Sequence, residues 1–231
     1  MLLGVAVLLF APAAMQAQLA LIEGRAVVQR PGPSRGAHNE NVAVWLTRLD
    51  GPVTRRTAWP RFRMVQKGKM FAPRVMVVPL GAEVEFPNHD SFFHNVFSLY
   101  RGERFDLGLY ETGTSRNVRF DKPGVSFIFC NIHPDMVAYV IAVNTPYFGV
   151  SDAQGKIDIP QVEPGRYRVE VWYERAPSSE LARLSREITV SGASASLGTF
   201  VVAESEAPGL RHTDKRGNPY DPQNAERGVP Y

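Results

Sequence analysis

Cys130 is the only cysteine among 231 residues. One thiol cannot close an internal disulfide, so no disulfide framework holds this chain. There is no CxxC or CxxCH pair, no Gly-rich phosphate loop and no nucleophile elbow. That removes thiol–disulfide exchange, covalent haem attachment, P-loop nucleotide chemistry and α/β-hydrolase chemistry. Dense runs of Lys and Arg are missing too, and the net charge is only +3, so no basic stripe is available to track nucleic acid. No internal repeat is visible.

What is present suits a packed protein. Hydrophobic residues make up 44% and charged residues 21%, enough for one large domain or two modest ones. Residues 1–10 are almost wholly apolar and small residues follow at 11–14. This reads as an export signal over residues 1–17, with cleavage after Ala17; the run is too short to form a stable membrane span. No Lys or Arg precedes the apolar core, which leaves an uncleaved N-terminal anchor as the alternative. Either reading places the remainder outside the cytoplasm, periplasmic or secreted.

The rest reads as β structure. Short apolar or alternating runs at 24–29, 41–46, 75–79, 82–86, 95–98, 125–129 and 138–143 predict strands, punctuated by Pro79, Gly81, Pro87, Gly113, Pro123 and Gly124. A second set follows at 147–150, 156–159, 167–173, 186–190 and 198–202, with a helical turn or two over 179–186. Residues 105–110 read as a loop. The tail, 204–231, is polar and aperiodic and is expected to be extended or disordered. Many short strands at close spacing give an all-β fold class of antiparallel sandwiches.

Chemistry concentrates in one stretch. Cys130, His133 and Met136 recur at every third position. At strand spacing they diverge; in a tight loop between the strands at 125–129 and 138–143 they converge. Thiolate, imidazole and thioether form a soft, mixed donor set that suits copper in both oxidation states, whereas Met is a poor zinc ligand. His94, just before another strand, offers a second imidazole at the same end of the sandwich. Two imidazoles and a thiolate with a weak axial Met is the arrangement of blue-copper electron-transfer sites. Taken singly, a buried Cys, a core Met or a structural His is the blander reading of each residue; jointly they point to a metal. His89 reads as a surface turn residue, with a further ligand as the alternative. His38 and His212 read as solvated. Asp106, Tyr110 and Glu111 have no partner nucleophile in view and read as loop structure.

The pattern Phe86-Pro87-Asn88-His89-Asp90, then His94-Asn95-Val96, then Pro123-Gly124, then Cys130, His133 and Met136 resembles the cupredoxin family over residues 61–144. The short Cys-to-Met loop with Pro134 after the second His is similar to that of amicyanin; plastocyanin and azurin-type loops are longer. The resemblance implies a Greek-key β-sandwich holding one type 1 copper ion, with His94, Cys130 and His133 as strong ligands and Met136 axial. It implies that Asn95 cross-links the two ligand loops and sends its backbone N–H toward the Cys130 sulfur. Pro134, lacking an N–H, cannot donate there. It also implies electron transfer through an exposed edge of His133, within an apolar rim of Pro134, Phe92 and Phe93.

Thr145 to Ala203 resembles the carboxypeptidase regulatory-like, or transthyretin-like, sandwich, on Asp152 to Gly155, Pro164-Gly165 and Tyr167. The opening strands of that fold correspond to Gly24 to Val27 and Val42 to Trp45. The expected organisation is therefore a smaller second sandwich split into residues 22–58 and 145–203, with the cupredoxin unit, 59–144, inserted between its halves. The expected role is a soluble electron carrier, not an enzyme, whose partner is a redox protein such as a c-type cytochrome or exported dehydrogenase. Five histidines are too few for the further His pairs of a multicopper oxidase. Copper trafficking or storage, and a non-redox cell-surface binding module, are the alternatives.

Overall fold

The computed structural model describes residues 18–30, 38–53, 59–99, 101–205 and 213–217. The export signal and His212 lie outside the described residues. Among the described residues no helix is long and apolar enough to cross a membrane.

In chain order the strands are β1 (Ala20–Gln29), β2 (Ala43–Arg48), β3 (Phe62–Arg63), β4 (Val65–Gln66), β5 (Phe71–Ala72), β6 (Val75–Pro79), β7 (Ala82–Pro87) and β8 (His94–Ser98). There follow β9 (Phe105–Tyr110), β10 (Ser115–Phe120), β11 (Gly124–Phe129), β12 (Val137–Val143), β13 (Phe148–Val150), β14 (Lys156–Val162) and β15 (Gly165–Trp172). Among the described residues a single short helix, α1 (Ser178–Leu184), precedes β16 (Arg186–Val190) and β17 (Ser194–Ala203). The protein is nearly all β.

Two sheets enclose the first core. One has the order β6-β12-β11-β8-β9 and the other β10-β7-β3. Val78, Val84, Phe86, Val96, Phe120, Ile128, Cys130 and Met136 are among the side chains packed between them. Two further sheets, β14-β1-β17 and β13-β2-β15-β16, enclose a second core that includes Ile22, Leu46, Ile159, Tyr167 and Phe200. Here the early strands pair with late ones across the intervening chain. Gly24 of β1 lies opposite Ile157 of β14 and Gly198 of β17, and Val44 of β2 opposite Gly149 and Val171.

A third apolar cluster joins the two. Val75, Val77, Tyr139, Ile141 and Val143 leave the outer face of β6 and β12 and meet Ala43, Trp45, Phe148 and Trp172. The Tyr139 and Trp172 rings lie 4.9 Å apart. Beside them Arg74 donates to Glu174 from Nη2 at 2.7 Å and from Nε at 3.0 Å. All seven residues of β12 are buried, because Ala138, Val140 and Ala142 face one core while Val137, Tyr139, Ile141 and Val143 face the other. A strand covered on both faces reads as a continuous apolar run, and Val137 to Val143 is one.

Two expectations change. Residues 105–110 are not a loop: they form β9, with Tyr110 opposite His94 and Leu109 opposite Asn95. Gly108, at φ 66°, and a register shift between Asn95 and Phe97 mark an irregularity within that pairing. In the tail, residues 213–217 are held in place. Asp214 is buried, and it accepts from the N–H groups of Arg216 and Gly217 at 2.9 and 3.0 Å.

Candidate metal centre

Register brings the two halves of the site together. Phe97 of β8 lies opposite Phe129 of β11. His94 is three residues before Phe97 on an antiparallel strand, so it stands where the chain leaves β11 at Cys130. The seven residues from Cys130 to Met136 then turn back into β12. Their turn is closed by Met136 N–H donating to the His133 carbonyl at 3.1 Å and Cys130 N–H donating to the Met136 carbonyl at 3.3 Å.

Within this corner Cys130 Sγ lies 3.7 Å from His94 Nδ1 and 3.7 Å from His133 Nδ1. One donor atom from each of the three residues falls within 4.8 Å of the others. The imidazole rings meet edge to face with centroids 5.0 Å apart. Cys130, His94 and Met136 are fully buried. Met136 belongs to the same core cluster as Cys130.

Each donor is in the state a metal requires, or is prepared for it. Burial pushes the Cys130 thiol up, but the backbone N–H groups of Asn95, Ile132 and His133 bond to the sulfur and favour the thiolate. A sulfur met by three N–H groups is arranged for negative charge. Pro134 contributes none of these donors. Burial holds both imidazoles neutral: His94 is lowered despite its carboxylate neighbour, and His133 is lowered to about 4 by burial and then by repulsion from Lys69 and from a protonated His94.

Asp90 completes the orientation of His94 and went unread in the sequence. Its Oδ2 lies 2.8 Å from His94 Nε2. Ionised, it can only accept, so Nε2 carries the proton and the Nδ1 lone pair faces the sulfur. Burial works against ionisation of Asp90, but N–H groups from Lys69 and Gly68 and the His94 ring outweigh it and hold the carboxyl below its usual range. Those N–H groups reach it at 3.0 and 2.6 Å. The four-residue spacing from Asp90 to His94 was the available signal. A carboxylate behind a ligating imidazole is a common partner.

Two expectations for the site are corrected. His133 is buried, with only 5% of its surface exposed, and lies against Phe92, whose ring centroid is 5.6 Å from its own and 5.1 Å from that of His94. Phe92 and Phe93 are the exposed aromatics, at 36% and 54%. The Asn95 backbone N–H meets the Cys130 sulfur as expected, but its side-chain amide does not bridge to the Cys130 loop; Nδ2 donates to Asp106 Oδ1 at 2.8 Å. Asp106 is therefore a partner of the site and not merely loop structure. Of the remaining histidines, His89 is exposed and is not part of the cluster, and His38 pairs with Glu40 at 3.3 Å.

Neither a family model nor a curated protein matches the sequence. Solved structures resemble part of it. A purple cupredoxin from Nitrosopumilus maritimus is 23% identical over 36% of this chain and 99% of its own, with a TM-score of 0.33. A variant of amicyanin in its reduced Cu(I) form is 17% identical over 38% of this chain and 86% of its own, with a TM-score of 0.35. A copper-containing nitrite reductase from Thermus scotoductus SA-01 is 20% identical over 51% of this chain but 28% of its own, with a TM-score of 0.35. These likenesses are partial, and the donor geometry stands independently of them.

Proposed function

We propose that this chain is an extracytoplasmic type 1 copper protein that passes single electrons between redox partners. The observation that carries the proposal is the convergence of one sulfur and two neutral imidazole nitrogens in a buried corner. His94 Nδ1, Cys130 Sγ and His133 Nδ1 would be the strong ligands and Met136 the axial one, a soft set that fits copper better than zinc. Bound there, copper would supply a one-electron couple between Cu(II) and Cu(I).

The protein's own part is to keep the donors still. Asp90 fixes the His94 tautomer, the three N–H groups hold the sulfur, and the closed turn between Cys130 and Met136 sets the loop. Rigid donors need little rearrangement when charge changes, which favours fast transfer. Phe92 covers both imidazoles, so a partner would approach across the Phe92 and Phe93 surface. A covered site with four protein donors suits a carrier rather than an enzyme that binds substrate at the metal. The apolar stretch at residues 1–10 supports export, and a c-type cytochrome or an exported dehydrogenase is the proposed class of partner. The pairing of β1 with β14 and β17, and of β2 with β13 and β15, supports a split sandwich of residues 22–58 and 145–203 around an inserted unit; we propose that this sandwich is of regulatory-like type.

Adding Cu(II) to the purified chain, with Cys130→Ser beside it, tests this reading. An intense thiolate-to-copper band in the visible, lost in Cys130→Ser and bleached reversibly by reductant, is expected. Uptake as Cu(I) alone, with no such band, would favour copper trafficking. No stoichiometric uptake would leave a non-redox binding module.

A further inference from the structure

We propose that Lys215, on the C-terminal segment 213–217, is a positioning residue for the metal centre that ties its two ligand-bearing segments together. The proposal builds on the copper reading above. Each ligand segment carries an Asn next to its ligand: Asn95 follows His94, and Asn131 follows Cys130. Both are buried, at 1% and 3% exposure. The Asn95 amide does not bridge to the other segment; its Nδ2 donates to Asp106, and its Oδ1 is buried without a hydrogen-bond partner. The Asn95 backbone N–H already meets the Cys130 sulfur, and Lys215 adds a second tie from outside. Its Nζ donates to Asp106 Oδ2 at 2.8 Å, and its backbone N–H donates to Asn131 Oδ1 at 2.8 Å.

The result is a continuous relay: Asn95 to Asp106, Asp106 to Lys215, Lys215 to Asn131. Its ends adjoin two of the three converging donors. The segment is shaped for the task. Asp214 is buried and caps a short turn by accepting from Arg216 and Gly217, so the Lys215 N–H and side chain are presented together. Asp106 is fixed in turn by the Gly108 N–H at 2.9 Å.

Magnitude decides what such a relay does. The Lys215 and Asp106 side chains are 31% and 34% exposed, and an ion pair so hydrated adds little to global stability. Partners that orient metal ligands are another matter, since their loss commonly weakens metal binding by about 10- to 100-fold. The relay therefore acts on the placement of the donors and not on the survival of the fold.

The test uses the full chain with Lys215→Met and Lys215→Arg. In the copper-free protein, hydrogen exchange of the amides over 130–136 is measured. In the loaded protein, copper affinity by chelator competition and the position of the thiolate-to-copper band are measured. Lys215→Met keeps the backbone N–H to Asn131 and removes the Nζ bond to Asp106; with the segment released at that end, exchange should speed about fivefold, the effect of losing one hydrogen bond. It should weaken copper binding about tenfold and shift the band. The melting temperature should stay unchanged, and Lys215→Arg should restore most of each effect. Wild-type exchange and wild-type copper binding in Lys215→Met would overturn the proposal. If the wild-type chain takes up no copper, the electron-carrier reading falls. The copper-free exchange measurement then still decides whether Lys215 holds the loop.

Discussion

His133 carries an imidazole in a place where the charged form is penalised. Burial, then repulsion from Lys69 and from a protonated His94, lower it from the ordinary 6.5 to about 4, and His94 is lowered as well. Between those values the unfolded chain binds protons that the folded chain refuses, so folding stability is present above about 6.5 and is lost as pH falls toward 4. The copper-free protein should therefore unfold at progressively lower urea as pH drops through this window. A flat midpoint across it would show that the two rings are solvated. Much of this was open to reading beforehand. The spacing of Cys130, His133 and Met136 and the Asn after His94 mark the donors. The depth of His133 was not open, because it depends on tertiary packing, with Phe92 and His94 set against its ring.

At the scale of elements, β12 is the strand that matters most. It pairs with β11, the strand that leads into Cys130, and begins immediately after Met136. Its outer face is sealed by the third cluster, where Ile141 is 1% exposed. Ile141→Ala should cost about 3 kcal/mol, the usual range for truncating a buried aliphatic side chain, read as a fall in the urea midpoint at constant slope. A loss under about 1 kcal/mol would mean that the face is loosely covered. The continuous apolar run makes β12 legible from sequence. β9 was less so. Phe105, Leu107 and Leu109 alternate as a strand should, but Gly108 and the neighbouring Asp106 resemble a turn. Pairing with β8 overrides that local preference.

At the scale of the molecule, three apolar clusters among the described residues share strands. β6 and β12 serve the first core on one face and the joining cluster on the other, while Trp45 and Trp172 line that cluster from the second sandwich. Elements that share buried faces lose them together. Thermal unfolding of the copper-free chain should therefore give one transition, coincident by tryptophan fluorescence and by circular dichroism. Two separated transitions would show that the sandwiches are energetically independent.

What the amino-acid order determined by itself is local: strand positions, the all-β class, and the donor types spaced along two short segments. Periodicity and donor chemistry are properties of neighbouring residues, so they survive without coordinates. The tertiary structure decided what depends on residues far apart. Asp90 lies close enough to His94 in sequence to be suspected, yet its carboxylate is placed by Gly68 and Lys69. Lys215 meets Asp106 across 109 positions and Asn131 across 84. No periodicity links such residues; only a closed fold brings their charges within hydrogen-bond reach.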